Sequence, residues 1–477
     1  MGKYFAEAFE KYAPKDKITT SSLALKTGIE RTSLHKIRSG RLMPTWDKLE
    51  ALCQALMLTS NEAQDLKNSI VIDDIGYDSW QRRRLIRDCL ENFESLFKEP
   101  VYAFPKVLIS KKEFPRETTV IKGKENIVYL LLSIILSDET ENGTIYASFP
   151  PNIEPLLNVS KLAVKRSGAS FCHFMAFEQN NAKNDYNINC FKNTISLYFG
   201  KANYQAYYFY GTPNPLQCIT PWFFVTPEFT VSISSGLEYA MISDDSDIRE
   251  MHVNIVENLK QISRPLYNQV SNYMEKVDYS KKTISNEWKK EKILILQHEL
   301  FCNMLFSPEE VEFIIRDDIP DRDELIEVFS TEETAKLHNM LNEFKYTVYF
   351  TEEGLNNFAK SGVISMEKPA ITFSPEYRKT IFHRFLDKVS DETYTPFIIN
   401  PQMFRFPKNV QIVCYSPRKT SIMFYSSNGN LLHAELEETS LANAFYDFAS
   451  SLSQKGMGCT LSEEESTNKV KQKLTEI

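Results

Sequence analysis

Apolar residues recur at helical spacing through the first 70 residues of the chain. Leu34 and Ile37 lie three positions apart, which places both on one face of a helix predicted over residues 30–39. Gly28 lies just before this helix and Gly40 just after it, where a left-handed backbone favours a residue without Cβ. The pattern predicts a set of short helices with a tight turn ahead of the helix over residues 30–39.

Four more helices are predicted around this one. Each combines an apolar stripe with a polar face, and Ser or Thr precedes two of them as an N-cap. The predicted helices cover residues 3–12, residues 20–27 with Thr20 or Ser21 as N-cap, residues from Trp46 onward with Thr45 as N-cap, and residues 61–70.

The pattern resembles the lambda-repressor-like, or XRE-type, DNA-binding domain over residues 4–70. The residues that carry the resemblance are Leu23, Ala24, Gly28, Ile29, Leu34, Ile37, Gly40, Pro44, Leu49 and Leu52. Members of this family insert the helix that follows the Gly turn into the major groove of DNA. The resemblance therefore implies double-stranded DNA as a partner.

The resemblance also assigns roles to the polar residues around this helix. It implies base contacts by Arg31, Thr32 and Lys36, and phosphate contacts by Ser21, Ser33, His35, Arg38 and Arg41. Arg31 or Lys36 can address guanine, and Thr32 can address a thymine methyl group. Glu30 departs from the pattern, since many relatives carry a small polar residue there. A carboxylate at this position can cap the helix, repel phosphate or accept a hydrogen bond from cytosine N4.

Charge is distributed unevenly along the chain. Residues 21–42 contain five cations and a single anion, Glu30, whereas the whole chain has a formal net charge of −8. A basic stretch confined to one part of an acidic protein indicates a localised nucleic-acid site. A helix-turn-helix that contacts only protein is the alternative interpretation.

The composition of the whole chain is that of a large globular protein. Its 477 residues, 42% of them hydrophobic, predict about two to four domains with ample cores. The longest apolar run, residues 127–136, is too short to span a bilayer, and the first residues lack a secretory signal. Eight scattered cysteines without a C-x-x-C pair suit reduced thiols. We therefore expect a cytoplasmic protein with no membrane partner.

Five segments are predicted along the chain. The first is an all-α helix-turn-helix domain, and a large α/β (α+β) portion follows, because strand-like and helix-like runs alternate there. The segments are residues 1–70 (DNA-binding domain), 71–100 (helical connector with a helix over 79–98), 101–280 (first α/β lobe), 281–460 (second α/β lobe) and 461–477 (a polar tail, frayed or a lone exposed helix).

The α/β portion contains a faint internal duplication. The stretch from Pro221 and the stretch from Gln411 both read as three strands followed by an acidic helix start and a long helix. The two copies are offset by about 190 residues, with the order of elements kept. We predict two duplicated lobes, joined by a long helix over residues 247–276. This layout weakly resembles the phospholipase-D-like sensor domains of some bacterial and archaeal regulators.

No catalytic, metal or cofactor site is predicted. The phospholipase D signature requires Lys two positions after His, and none of the seven histidines meets that requirement. Phosphate-loop, dinucleotide and nucleophile-elbow motifs are also missing. The aromatic residues Tyr207, Tyr208 and Tyr210 either line a ligand pocket or belong to a buried strand.

Four arginines of the connector, Arg82, Arg83, Arg84 and Arg87, allow two interpretations. They either grip phosphates beside the DNA-binding domain or form the solvated face of a linker helix.

Together these patterns predict a sequence-specific DNA-binding transcription regulator. A single such domain contacts only one half-site, so we expect a homodimer. The C-terminal lobes would then dimerise, sense a small-molecule or protein effector, or both. Two other classes stay open: an enzyme of unknown class that uses the helix-turn-helix for DNA targeting or autoregulation, and a protein-interaction scaffold.

Overall fold

The structure is a computed structural model, with a helical N-terminal domain followed by two α/β lobes. The residues that it describes are 2–93, 95, 114, 117–136, 143–166, 169–179, 185–198, 204–211, 220–270, 292–300, 305, 310, 322–364, 371–425, 431–454 and 458–477.

Five helices form the N-terminal domain. They are α1 (Lys3–Tyr12), α2 (Thr20–Thr27), α3 (Arg31–Arg38), α4 (Trp46–Ala55) and α5 (Ser60–Ile75). Their apolar faces share one core, in which Phe5, Phe9, Leu34, Ile37 and Leu49 are buried. The predicted bundle of short helices is confirmed.

The boundaries of two helices differ from the prediction. Thr19, rather than Thr20 or Ser21, caps α2, and its side chain accepts a hydrogen bond from the backbone N–H of Ser22 at 3.2 Å. α5 begins with a capping box between Thr59 and Glu62 and runs past the predicted end at residue 70.

The connector helix α6 (Tyr77–Glu91) is shorter than the helix predicted over residues 79–98. Gly76, with φ +85°, lies between α5 and α6 and takes a backbone conformation that favours glycine. Ile86, Cys89 and Leu90 of α6 are buried in the core of the C-terminal lobes. The connector is therefore an integral part of the lobes. Residues 94 and 96–98 of the predicted helix lie outside the described residues.

The first lobe contains an eight-stranded mixed sheet. Its strands are β1 (Thr119–Lys122), β2 (Thr144–Ser148), β3 (Ser170–Phe177), β4 (Tyr204–Tyr210), β5 (Trp222–Val225), β6 (Thr230–Ile233), β7 (Tyr239–Ser243) and β8 (Arg264–Pro265). Their order in the sheet is β1-β7-β6-β5-β2-β3-β4-β8. The helices are α7 (Lys124–Ile135), α8 (Glu154–Arg166), α9 (Tyr186–Tyr198) and α10 (Ser246–Ile262).

The second lobe contains a seven-stranded mixed sheet and a separate two-stranded one. The strands are β9 (Asn268–Val270), β10 (Lys292–Leu296), β11 (Lys345–Thr351), β12 (Val363–Ile364), β13 (Ile371–Thr372), β14 (Tyr394–Ile399), β15 (Val410–Ser416), β16 (Lys419–Tyr425) and β17 (Leu431–Leu436). The larger sheet has the order β14-β11-β10-β15-β16-β17-β9, and β12 pairs with β13. The helices are α11 (Arg322–Phe329), α12 (Glu332–Leu341), α13 (Glu352–Ser361), α14 (Pro375–Ser390), α15 (Thr439–Leu452) and α16 (Glu463–Glu476).

The two large sheets repeat one topology. Read in reverse, the second sheet places β9, β17, β16, β15, β10, β11 and β14 where the first has β1, β7, β6, β5, β2, β3 and β4. In both sheets three adjacent strands are parallel and the fourth, β5 or β15, is antiparallel to them. The pairing of β8 with β4 also has a counterpart, an isolated bridge between Ile399 and Thr460. The predicted fold class and the two lobes are confirmed.

One continuous core lies between the two sheets. It combines apolar residues of the first sheet and of α7, α8 and α9 with those of α6, α15 and the second sheet. Each sheet also has an outer face. α10 covers that of the first sheet with Val256, and α13, α14 and α16 cover that of the second.

Two predicted features of the lobes are wrong. The single helix predicted over residues 247–276 ends at Ile262, because Pro265 cannot continue a helix and β8 and β9 follow directly. Residues 271–276 lie outside the described part of the chain. The polar tail is also neither frayed nor isolated, since Val470 of α16 is buried in the core beside α14.

No helix among the described residues is long and apolar enough to cross a membrane.

Candidate nucleic-acid interface

α3 exposes one continuous polar face. Arg31, Thr32, His35 and Lys36 are exposed, whereas the opposite side of the helix is buried in the N-terminal core. Because α-helical residues four positions apart share a face, Arg31 lies next to His35, and Thr32 next to Lys36. The structure therefore brings the three predicted base-contacting residues together and places His35, predicted to contact phosphate, among them.

A side-chain contact organises the start of this face. The hydroxyl of Thr32 donates to Oε1 of Glu30 at 2.6 Å. Glu30 occupies the N-cap position of α3, but its side chain makes no capping hydrogen bond to the helix. The carboxylate is exposed beside the predicted base-contacting residues and orients Thr32.

Arg38 does not lie on this face. It is buried, and its guanidinium donates to the backbone oxygen of Ile18 at 3.0 Å and to that of Ala13. Its Nε also lies 3.4 Å from a carboxylate oxygen of Glu10. Arg38 thus ties α3 to α1 and to the segment before α2, and the prediction that it contacts phosphate is wrong.

Glu10, the acidic partner of Arg38, is held in its charged form. The backbone N–H of Lys15 donates to its carboxylate at 2.9 Å, and the Arg38 guanidinium lies beside it. These two contacts hold the pKa of Glu10 below its usual range.

Four of the five cations between residues 21 and 42 remain exposed: Lys26, Arg31, Lys36 and Arg41.

The other predicted phosphate contacts lie at the borders of the exposed face. Ser21 is exposed in the first turn of α2, and Arg41 is exposed just after α3. Ser33 is half-buried on the edge of α3. At these positions the three side chains border the exposed face of α3, where they can contact DNA phosphates when α3 occupies a DNA groove.

Two glycines set the limits of α3. Gly28 ends α2 with φ +67°, and Gly40 follows α3 with φ +66°. Gly40 is also packed against the chain start, because its backbone oxygen accepts from the N–H of Gly2 at 2.9 Å and a Cβ there would meet the backbone of Gly2. The sequence signal at both glycines correctly marks the helix ends.

The three tyrosines proposed as a ligand pocket do not converge. Tyr207 packs on the outer face of the first sheet and donates to Gln205 at 2.7 Å. Tyr208 and Tyr210 lie on the opposite face, and Tyr210 donates to Glu438 of the second lobe at 2.8 Å. A single pocket lined by all three is therefore not formed, and Tyr210 instead connects the lobes.

The second lobe contains a buried polar group that the sequence reasoning missed. Ser421 and Glu435 both contact Nε2 of His433, at 2.5 and 2.7 Å, and Nζ of Lys419 lies 3.6 Å from Glu435. A nucleophile–base–carboxylate arrangement needs the two contacts on different ring nitrogens. This group therefore lacks the geometry of a catalytic triad. Only the alternation of polar residues along β16 and β17 could have indicated it.

Two of the four connector arginines bind the second lobe, which neither interpretation of the sequence predicted. Arg83 makes a bidentate pair with Asp447 of α15, at 2.7 and 2.8 Å, and Arg87 donates to Cys459 at 3.3 Å. Arg84 is exposed and lies over the ring of Trp80. Arg83 and Arg87 therefore attach α6 to the second lobe.

Comparison with known proteins defines the class of the N-terminal domain. The family model of the Cro/C1-type HTH DNA-binding domain matches residues 10–63. The chain thus carries a helix-turn-helix of the XRE type, as predicted, and α3 is its second helix.

No curated protein matches the chain. One similar solved structure is that of polyphosphate kinase from Porphyromonas gingivalis, with 8% identity over 78% of this chain, and a TM-score of 0.24. The match spans 60% of that kinase chain, and a TM-score this low carries no argument. The weak resemblance to phospholipase-D-like domains gains no support.

Proposed function

We propose that this protein is a sequence-specific transcription regulator that reads DNA with α3. The observation that supports this most strongly is the exposed face of Arg31, Thr32, His35 and Lys36 in a domain of the Cro/C1 type. Their opposite side is fixed by buried apolar residues, so the face is presented on a rigid support. Arg31 and Lys36 have the chemistry to address guanine in the major groove, and Arg41 has the chemistry to bind phosphate.

Selection of duplexes from a random pool tests this proposal. The full-length protein is expected to enrich one half-site sequence, and Arg31→Ala/Lys36→Ala is expected to lose that enrichment. Lys360→Ala/Lys379→Ala removes the same charge from exposed positions in the second lobe and serves as the matched control. Equal loss in both double variants would mean that net charge, and not the face of α3, determines binding.

Single substitutions separate base contacts from phosphate contacts. Arg31→Ala or Lys36→Ala is expected to cost about 1–3 kcal/mol and to relax the base preference at one position. Arg41→Ala is expected to weaken all sequences alike and to lower the salt slope by about one. These results are measured as affinities for the selected site and its single-base variants at several salt concentrations. Equal effects on all sequences for all three variants would contradict the assignment.

We infer that the C-terminal lobes are the regulatory part of the protein. The connector helix α6 contacts both α5 and α15, so a rearrangement of the lobes would reach the DNA-binding domain directly. A small molecule or protein that binds the lobes could therefore change DNA affinity. Its binding is testable as a shift in affinity for the selected duplex.

A further inference from the structure

Glu30 is the single acidic residue in the cationic stretch over residues 21–42. It is exposed at the N-cap position of α3, and Arg31 and Thr32 follow it directly in the chain. The hydroxyl of Thr32 donates to Oε1 of Glu30 at 2.6 Å, which holds the carboxylate beside the exposed face of α3. A negative charge at this place affects which DNA sequences the face can approach.

The carboxylate of Glu30 does not serve the fold through a direct bond to the helix. It makes no capping hydrogen bond to the first turn of α3. It also forms no ion pair within the described part of the chain, although Lys26, Arg31 and Lys36 are exposed in the same stretch. The contact with Thr32 engages Oε1 alone, so Oε2 is available to a partner outside the protein.

The chemistry of a carboxylate limits what this oxygen can bind in DNA. An ionised carboxylate only accepts hydrogen bonds. In the major groove guanine presents two acceptors and thymine presents one, whereas cytosine presents the N4 donor. Adenine also presents a donor, but its N7 acceptor lies next to that donor and repels a carboxylate. Cytosine is therefore the base that best matches Oε2 of Glu30.

We propose that Glu30 selects a cytosine in the half-site by accepting a hydrogen bond from N4, and that it excludes the other bases there. The inference rests on the proposed function, because it requires α3 to occupy the major groove. A carboxylate placed against a base acceptor stays unpaired in a groove from which water is displaced, and this weakens binding. Glu30 therefore contributes more to specificity than to affinity.

Thr32 is the positioning residue for this contact. Its hydrogen bond restricts the carboxylate before DNA binds, so less conformational entropy is lost on binding. Thr32→Val keeps the branched shape and the methyl group but removes the hydroxyl. We expect this variant to weaken selection at the cytosine while it keeps any contact of the Thr32 methyl group with thymine.

Binding of the full-length protein to the selected duplex and its single-base variants tests the proposal. The wild type is expected to lose at least about fivefold in affinity when the cytosine is replaced, as is usual for one mismatched pair. Glu30→Ala is expected to bind all four bases at that position within about twofold and to bind unselected duplexes more tightly than the wild type. A preference that Glu30→Ala keeps at every position, or loses only at a base other than cytosine, would overturn the proposal.

A modified base tests the atom involved. N4-methylcytosine pairs with guanine through one N4 hydrogen and carries a methyl group in place of the hydrogen that faces the major groove. The wild type is expected to bind this duplex at least about fivefold more weakly than the unmodified one. Glu30→Ala is expected to bind the two duplexes alike. Equal losses in the two proteins would overturn the hydrogen bond to N4.

Two further variants separate the charge from the shape of the side chain. Glu30→Gln keeps the size, but its amide both donates and accepts, so we expect it to tolerate other bases at this position. Glu7→Ala removes the same charge from an exposed position of α1, which contacts the buried side of α3 through Glu10 and Arg38. This control is expected to keep the selection of the wild type, and equal changes in Glu7→Ala and Glu30→Ala would overturn the proposal. Thermal melting of each variant establishes that it is folded.

The same measurements distinguish failure of this inference from failure of the proposed function. A wild-type protein that selects no duplex would overturn both. Selection that is lost in Arg31→Ala/Lys36→Ala but unchanged at every position in Glu30→Ala would overturn only the role of Glu30.

Discussion

At the scale of single residues, the burial of Arg38 is the clearest correction to the sequence interpretation. Its position four residues after Leu34 places it on the buried side of α3, so helical periodicity alone could have indicated burial. Its charge favoured an exposed role instead. A buried guanidinium is tolerated here because Ala13 and Ile18 offer backbone oxygens and Glu10 a carboxylate.

We predict that Arg38→Ala destabilises the N-terminal domain by about 2–4 kcal/mol, because buried backbone oxygens lose their donor. Hydrogen exchange of the α1 and α2 amides in the full-length protein measures this. Arg38→Lys is expected to restore little of the lost stability, since the single ammonium group of lysine cannot reproduce the several hydrogen bonds of the planar guanidinium. Arg41→Ala is the exposed control and is expected to change stability by less than about 0.5 kcal/mol. Amide exchange rates in Arg38→Ala equal to those of the wild type would contradict this stabilising role of Arg38.

At the scale of elements, β3 shows how alternation sorts side chains between two environments. Cys172 faces the outer side of the first sheet, and His173 faces the shared core, where it stacks on Phe149. The carbonyl of Phe149 can only accept, so Nε2 of His173 donates to it at 2.9 Å. Nδ1 then accepts from the hydroxyl of Tyr204 at 3.0 Å. Both ring nitrogens are satisfied only when the imidazole is neutral.

This arrangement predicts a pH-dependent stability. Burial lowers the pKa of His173 from 6.5 to about 4. Above pH 6.5 the imidazole is neutral in both states, and its contribution to stability is complete. As the pH falls towards 4, the unfolded chain binds a proton that the folded chain does not, so about 3 kcal/mol is lost. Urea unfolding at several pH values measures the loss.

His173→Gln removes the titrating group and therefore tests whether His173 causes the pH dependence. We expect the free energy of unfolding of this variant to fall less steeply than that of the wild type between pH 6.5 and 4. Parallel pH profiles for both proteins would assign the dependence to other groups.

The elements were predictable to different degrees. Gly28 and Gly40 marked the ends of α2 and α3 because each requires a positive φ that sequence can signal. For α16, a lone exposed helix was one of the two predictions, but its packing on the lobe was missed because its sequence is mostly polar and only a narrow apolar stripe contacts the lobe. The capping box between Ser462 and Glu465 was nevertheless visible in the sequence.

At the scale of the whole molecule, α6 couples the DNA-binding domain to both lobes. Its attachment depends on side chains far apart in sequence, such as Arg83 and Asp447, which no local pattern could pair. The repetition of one topology in the two lobes was predictable in part, because the duplicated layout survives in the sequence as a repeated order of elements. The contacts between the lobes were not predictable, since they depend on individual side chains such as Tyr210 and Glu438.

We predict that Arg83→Ala weakens the attachment of the connector helix α6 to the second lobe. Asp447 then loses its bidentate partner in a site where the Arg83 side chain is only 12% exposed. We expect α6 amides to exchange about 5–30-fold faster, which corresponds to about 1–2 kcal/mol. Arg84→Ala, one residue further along the same helix, removes an arginine that is 59% exposed and is expected to have little effect. Similar exchange in both variants would show that packing alone holds α6.

The core shared by the two lobes has a thermodynamic consequence. Its buried residues come from both sheets and from the helices between them, so neither sheet can open without exposing apolar surface of the other. The lobes therefore melt as one cooperative unit, although the chain repeats its topology and each sheet has its own strands. The N-terminal helices have a separate core and can open on their own. Two lobes that repeat one topology are thus thermodynamically indivisible.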